Sequence, residues 1–237
     1  MEQRTAAVSV RNVTKRFGPV LANDKVCLDI YRGEILALLG ENGSGKTTLM
    51  NMLSGIYYPD EGEIYINGKP VSISSPKESF HLGIGMIHQH FKLVDVFTAA
   101  ENIILGLDEK LDMKSAIRKI RKICDQYGFD IDPNQKIYDM SVSQKQTIEI
   151  IKVLYRGADI LILDEPTRGI DIKVKQDIYQ LMNQMRKNGK SIIMISEEIM
   201  ELLGMADRIL IMKDGKINGE FFRSPDLKDT DLIDNMI

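Results

Sequence analysis

The chain has 237 residues, of which 43% are hydrophobic and 27% charged, and its 31 basic and 34 acidic side chains leave a formal net charge of −3. This length suits one large domain, or one domain with an attached subdomain, and the charge offers no basic surface for nucleic acid. The two cysteines have no metal-ligand spacing, and no apolar run reaches the ~20 residues that span a bilayer, so we expect any membrane role to depend on partner proteins.

The first part of the chain is predicted to be rich in β-strands. Residues 7–13 and 25–31 are expected to be strands of an antiparallel layer, and residues 64–66 and 70–73 are expected to form a hairpin. Asn67-Gly68 is a strong hairpin signal between the last two. The short apolar run Ile35–Leu39 predicts a strand that is buried on both faces, and a glycine-rich loop leads from it into a helix over 47–54.

The middle of the chain, from residue 99 to residue 157, is predicted to be mostly helical. Over 112–128, apolar residues recur at the spacing of one helix face, and Gly128 is suited to end that helix. A second helix, largely buried, is expected over 143–155. This block interrupts the pattern of strands, so we predict a helical subdomain at about 93–157.

From residue 159 onward, strands and helices alternate. The strands are expected at residues 160–163, 191–196, 208–212 and 217–222, and the helices at 173–188, just before Ala206 and over 226–237. Strands that alternate with helices imply a doubly wound parallel sheet. We therefore predict an α/β fold for a single domain, 1–237, with a mixed, mainly parallel sheet, an N-terminal antiparallel β-subdomain and the helical subdomain.

Residues 40–48 read GENGSGKTT and fit the phosphate-loop pattern G-x-x-x-x-G-K-[ST], which refines the predicted class to a P-loop NTPase. Glycines allow backbone N–H groups to approach an anion closely, and the helix directs its positive end toward the same anion. Lys46 is expected to reach the β- and γ-phosphates of ATP, and the Thr47 hydroxyl to bind Mg²⁺. The predicted nucleotide-binding residues are Gly40, Glu41, Asn42, Gly43, Ser44, Gly45, Lys46, Thr47 and Thr48.

A pair of carboxylates ends the apolar run ILILDE at residues 160–165. Asp164 is expected to hold Mg²⁺ through water, and Glu165 to act as the general base on the attacking water. Taken alone, such a pair is more often a solvated turn. The complete phosphate loop and the following Pro166-Thr167 favour the catalytic interpretation.

GENGSGKTT, Gln89 and LILDEPTRGID, in that order, resemble the nucleotide-binding domains of ABC transporters. The resemblance covers about residues 8–222 and is closest to the ATPases of bacterial sugar and nucleoside importers, in which two such domains are fused. It implies that Phe17 stacks on adenine, although a buried phenylalanine at a strand end is the alternative. It also implies that Gln89 contacts Mg²⁺ and the membrane subunit during catalysis, and that Asp171 helps to align two subunits.

The resemblance extends, with departures, to the stretch MSVSQKQ at residues 140–146. Ser141 and Gln144 match the family signature LSGGQ, which implies that they contact the γ-phosphate of ATP held by an opposing subunit. Val142 and Ser143 replace its two glycines. We expect these side chains to limit the backbone angles and the closeness of approach, and so to weaken the contact.

A second departure lies in ISEEIM, where Glu197 holds the position of the family's switch histidine. An ionised glutamate donates no hydrogen bond and repels phosphate oxygens. Residues 1–167 resemble the first half of the fused ATPases, and residues 168–222 the second half, where this histidine is commonly absent. The sequence therefore suggests a junction between the two halves near residues 164–167, whether natural or artificial.

The resemblance implies an ATPase subunit that couples ATP hydrolysis to uptake of a sugar or nucleoside. Its expected partners are membrane permease subunits, a second ATP-binding domain in a homo- or heterodimer and, indirectly, an extracellular substrate-binding protein. Its expected location is peripheral, at the cytoplasmic face of the cell membrane. The alternative is a regulatory or hydrolysis-impaired ATP-binding partner. A DNA-repair or ribosomal ATPase is less favoured, because the chain has neither a coiled-coil insertion nor a second fused domain.

Overall fold

The computed structural model describes residues 5–88, 91–107, 112–167 and 172–236. The strands of this part are β1 (Ala6–Phe17), β2 (Val20–Tyr31), β3 (Ile35–Leu39), β4 (Glu61–Ile66), β5 (Lys69–Val71), β6 (Ile84–Ile87), β7 (Ile160–Asp164), β8 (Ser191–Ile195), β9 (Arg208–Lys213) and β10 (Lys216–Phe222). The helices are α1 (Lys46–Leu53), α2 (Pro76–His81), α3 (Ala99–Ile104), α4 (Met113–Tyr127), α5 (Val142–Tyr155), α6 (Ile172–Lys187), α7 (Ile199–Met205) and α8 (Asp229–Ile233).

The strands form two sheets. The first is antiparallel, with the order β2-β1-β4-β5. The second has the order β10-β9-β3-β8-β7-β6, in which only β10 pairs antiparallel to its neighbour. This arrangement confirms the predicted α/β class with a mixed, mainly parallel sheet and an N-terminal antiparallel layer.

Three hydrophobic clusters hold these elements together. The first lies between the two sheets and includes side chains of β1, β3 and α1. The second covers the other face of the larger sheet with α5, α6 and α7. Because β3 is central in that sheet, both of its faces are covered and all its residues are buried. The third cluster joins α3, α4 and α5 to each other.

Some elements differ from the sequence prediction. The strands β1 and β2 extend well beyond 7–13 and 25–31, because they pair along most of their length. The short elements α2 and β6 were not predicted; β6 has only four residues and includes a glycine, which strands disfavour. The terminal helix is confined to α8 rather than 226–237. None of the helices in the described ranges has the length and apolar character that crossing a bilayer requires.

Candidate active site

A cavity of about 500 Å³ opens where three neighbouring parallel strands end. The strands β3, β8 and β7 lie side by side, so the residues that follow them meet at one edge of the sheet. Its lining is Phe17, Val20, Leu21, Ala22, Asn42, Gly43, Gly45, Lys46, Thr47, Thr48, Asp164, Glu165, Ile195 and Glu197. Most of the residues that the sequence assigned to nucleotide and metal binding therefore share one cavity of the size that ligands occupy.

The phosphate loop, residues 40–45, leads directly into α1. Gly45 precedes the first helical residue at φ 102° and offers no side-chain cap. A Cβ atom at this position would lie 2.3 Å from the carbonyl oxygen of Ala22, so only glycine fits. The first turn of a helix has N–H groups without intrahelical partners, and the first-turn residues Lys46, Thr47 and Thr48 line the cavity. This end of α1 is therefore suited to bind an anion.

Lys46 is buried at the base of the loop. Its ammonium donates hydrogen bonds to the carbonyl oxygens of Gly40 and Glu41, at 2.6 and 2.8 Å. Burial lowers the pKa of Lys46, while the carboxylates of Glu197, Glu165 and Asp164 oppose this shift. A phosphate group at the loop would offer this ammonium an anionic partner.

The two carboxylates at the end of β7 occupy different positions. Asp164 is half-buried, and burial raises its pKa, an effect that the positive charge of Lys46 partly offsets. Glu165 has φ 50°, in the left-handed region, which costs a non-glycine residue about 1 kcal/mol. Its backbone N–H donates to the carbonyl oxygen of Ile195 at 3.0 Å, so the ends of β7 and β8 are bonded to each other. No pattern in the sequence predicts this left-handed backbone conformation at Glu165.

Aromatic and apolar residues of β1 and β2 also line the cavity. Phe17 is 41% exposed, so the alternative of a buried strand-end residue is wrong. The edge of the Tyr57 ring packs against it, with 5.1 Å between centroids, and the ammonium of Lys15 lies 5.5 Å from its centroid. An exposed, supported ring beside a phosphate loop can stack on a planar base.

Ser141 and Gln144 lie outside this cavity, at the start of α5. The Ser141 hydroxyl accepts from the backbone N–H of Gln144 at 3.2 Å, and the Gln144 side chain accepts from the N–H of Ser141 at 3.0 Å. Val142 and Ser143, which replace the two glycines of the family signature, both lie in the first turn of α5. Compared with two glycines, these side chains add bulk at the start of α5, and the Val142 side chain is 53% exposed.

The remaining predicted site residues that the structure describes do not line this cavity. Glu41 and Ser44 line a neighbouring cavity together with Asn42 and Gly43, and the carbonyl oxygen of Gly40 accepts from Lys46. Gln89 and Asp171 fall outside the described residues. Within the described ranges, no cluster of three or more His, Cys, Asp or Glu side chains is arranged to hold a metal. This does not conflict with Mg²⁺, which takes one or two protein ligands and completes its shell with phosphates and water.

Sequence reasoning missed the buried contacts of Glu201. This carboxylate accepts hydrogen bonds from the hydroxyls of Thr167 and Ser196, directly behind the cavity. Thr167 is 34 residues away along the chain, so no local pattern links the two. Their proximity depends on the pairing of β7 with β8 and on the position of α7.

Comparison with known proteins agrees with this geometry. Residues 23–168 match the ABC transporter family. The nucleoside import ATP-binding protein NupA of Lactococcus lactis is 50% identical over 213 residues, which cover 88% of this chain and 42% of that protein. The guanosine import ATP-binding protein NupO of Bacillus subtilis is 46% identical, with the same 88% and 42% covered. The chain thus spans less than half the length of these relatives.

A solved structure supports the same assignment. A dimeric ATP-binding cassette in a post-hydrolysis state, bound to ADP and phosphate, matches with a TM-score of 0.76 and 26% identity, covering 92% of this chain and 99% of that one. The family match extends over more than half of the chain. The sequence identities of 50% and 46% to the two import proteins are well above those of proteins that share only a fold. The chain belongs to the ABC transporter family, among its ATP-binding proteins.

Proposed function

We propose that the chain binds and hydrolyses ATP as a subunit of an ABC importer for a nucleoside or a sugar. The observation that carries this proposal is the convergence of Lys46, Asp164 and Glu165 on one cavity at the phosphate loop. The relatives named for nucleoside and guanosine import support the cargo class. The cargo itself does not follow from this cavity, whose polar groups suit phosphates.

ATP fits the cavity with its phosphates at the loop and its adenine against Phe17. The N–H groups at the start of α1 and the ammonium of Lys46 bind the β- and γ-phosphates. Thr47 and Asp164 would hold Mg²⁺, together with Gln89 by its position in the family pattern. Bound there, Mg²⁺ would neutralise phosphate charge, and Asp164 must be ionised to contribute.

Glu165 acts as the general base in this proposal. It accepts a proton from the water whose oxygen forms a bond to the γ-phosphorus. The bond from that phosphorus to the bridging oxygen breaks, and the products are ADP and inorganic phosphate. Glu165 lines the cavity and has a left-handed backbone conformation.

A second ATP-binding domain completes the site. Ser141 and Gln144 do not line the cavity of their own chain, and their position at the start of a helix suits contact with the γ-phosphate of ATP in another subunit. Closure of the pair would pass movement to permease subunits through the helical block at about 93–157. The subunit would sit at the cytoplasmic face of the membrane, with an external binding protein delivering cargo.

A hydrolysis-impaired partner is the second candidate, and Glu197 is the observation that favours it. This carboxylate lines the same cavity as Asp164 and Glu165, and its negative charge opposes the lowering of the Lys46 pKa by burial. A third negative charge next to the γ-phosphate opposes binding of ATP and slows its hydrolysis.

Phosphate release from Mg-ATP, measured over a range of protein concentrations, tests the two candidates. We expect the rate per molecule to rise with concentration, because two chains close around the nucleotide. Glu165→Gln should lower the rate about 100-fold or more while the Kd for ATP stays within about two-fold. Glu197→Gln is the matched isosteric change across the same cavity, and it should leave the rate unchanged or raise it.

Two outcomes would contradict the proposal. If the wild-type chain releases phosphate no faster than Glu165→Gln at every concentration, it is not a working ATPase alone. If Glu197→Gln then restores hydrolysis, the impaired-partner function holds instead. The suggested junction near residues 164–167 stays a separate proposal: the match to NupA covers 88% of the chain and so continues on both sides of it, and the sequence of a full-length parent protein would test it.

A further inference from the structure

Glu201, the third residue of α7, is a carboxylate buried behind the active-site cavity, with 6% of its surface exposed. The hydroxyl of Thr167 donates to one of its oxygens, and the hydroxyl of Ser196 donates to the other at 2.5 Å. Both donors are buried as well. The Tyr179 hydroxyl on α6 also bonds to it, and burial followed by this contact raises the pKa of Tyr179. Both oxygens of this buried carboxylate therefore accept hydrogen bonds from hydroxyl groups.

Each of these two donors belongs to a loop that leads into the cavity. Thr167 follows Glu165 by two residues, and Ser196 directly precedes Glu197. The Ser196 hydroxyl also accepts from the backbone N–H of Glu198 at 3.1 Å. The loop after β7 and the loop after β8 thus have Glu201 as a common acceptor.

The loop after β7 needs such a restraint. Glu165 has φ 50°, and a non-glycine residue keeps this conformation only when its surroundings hold it there. Two hydrogen bonds contribute to this restraint: the N–H of Glu165 donates to the carbonyl oxygen of Ile195, and the hydroxyl of Thr167 donates to Glu201. Without the second bond, the segment could relax toward an extended conformation and carry the Glu165 carboxylate away from the cavity.

We propose that Glu201 is a positioning residue: by accepting from Thr167 and Ser196 together, it holds the Glu165 loop and the Glu197 loop in one arrangement at the cavity. Its effect on the reaction rests on the proposed role of Glu165 as general base. Its effect on the two loops does not, and can be measured without nucleotide. A displacement of about 1 Å in a catalytic group can lower a rate about 100-fold, so a loose loop is sufficient to impair hydrolysis.

The first measurement is hydrogen exchange at the backbone N–H groups of Glu165 and Glu198 in the nucleotide-free chain. Glu201→Ala removes both acceptor oxygens, and exchange at both sites should rise about 10-fold or more. Glu201→Gln keeps the shape and one acceptor oxygen, so its effect should be smaller, and it serves if the alanine variant does not fold. Glu34→Gln is the matched control, because Glu34 is 4% exposed but lies at the opposite end of β3.

The second measurement is hydrolysis. Glu201→Ala should lower kcat about 10-fold or more while the Kd for ATP stays within about two-fold, with Glu201→Gln in between. In a Glu165→Gln background, Glu201→Ala should cause no further loss, because the two residues act through the same step. A merely structural role would lower the melting temperature and the rate in proportion, as in Glu34→Gln.

Unchanged exchange at Glu165 and Glu198 in Glu201→Ala, or an equal rise in Glu34→Gln, would overturn the inference. So would a rise at only one of the two sites, since the proposal requires a common restraint. A wild-type chain that hydrolyses no faster than Glu165→Gln contradicts the proposed function instead, and the exchange measurement still decides the role of Glu201.

Discussion

The helices α1 and α5 both begin at segments to which the sequence assigns a phosphate contact, but their first turns are built differently. Before α1, Gly45 offers no side-chain cap, and the helix end faces a cavity. Before α5, the side chains of Ser141 and Gln144 bond to each other's backbone N–H groups. The N-terminal end of α1 is therefore open, and the N-terminal end of α5 is closed by its own side chains.

This difference shows how readily each end can accept an anion. At α1, a phosphate meets the positive end of the helix and the buried ammonium of Lys46, which exchanges its hydrogen bonds to the carbonyl oxygens of Gly40 and Glu41 for bonds to the phosphate. At α5, a phosphate competes with hydrogen bonds that the capping box already satisfies. We therefore expect α1 to bind nucleotide in a single chain, and α5 to contribute only when an opposing chain presents a phosphate to it. Three substitutions test this comparison, from the largest expected effect to the smallest.

Lys46→Ala removes the cation from the open end. We expect the affinity for ATP to fall about 100-fold, or about 3 kcal/mol, because charge-assisted bonds to two phosphates are lost. Titration calorimetry with Mg-ATP measures this. Lys216→Ala, an exposed lysine paired with Asp24, is the control and should bind normally. An unchanged affinity in Lys46→Ala would mean that nucleotide does not bind at this loop.

Gly45→Ala changes the backbone of the open end. The alanine would be held at φ 102° with its Cβ 2.3 Å from the carbonyl of Ala22, so we expect unfolding free energy to fall by at least about 2 kcal/mol and ATP affinity to fall with it. Denaturant unfolding measures the first effect. Gly128→Ala, at φ 71° with nothing within 4 Å, is the matched control and should cost about 1 kcal/mol without changing affinity. Equal losses in both variants would contradict the close approach at Gly45.

Ser141→Ala removes the cap of the closed end. The free energy of unfolding should fall by about 1 kcal/mol, the usual value of such a cap. Thr98→Ala removes the same motif from α3 and should cost a similar amount. Only Ser141→Ala should also lower ATP hydrolysis at high protein concentration, where dimers form. If both variants hydrolyse equally well, the start of α5 does not contact nucleotide.

The sequence predicted the parts of the site whose chemistry depends on near neighbours. The spacing of Gly45, Lys46 and Thr47 specifies a strand, a tight loop and a helix start, because each residue type suits one position in that unit. The run ILILDE placed Asp164 at a strand end for the same reason. The strand order and the long pairing of β1 with β2 are harder to predict from the sequence, since they depend on which segments meet in space.

By itself, the sequence determined the α/β class, the phosphate loop, the carboxylates at the end of β7 and the glutamate at position 197, since local hydrophobic patterns and motif spacing encode each of them. Only the tertiary structure decided that Glu165 has a left-handed backbone, that the turn at Val142 is helical and that Glu201 joins two loops. The physical reason is distance along the chain. Glu201 and Thr167 come together because parallel strands align their ends at one edge of the sheet and α7 packs behind them.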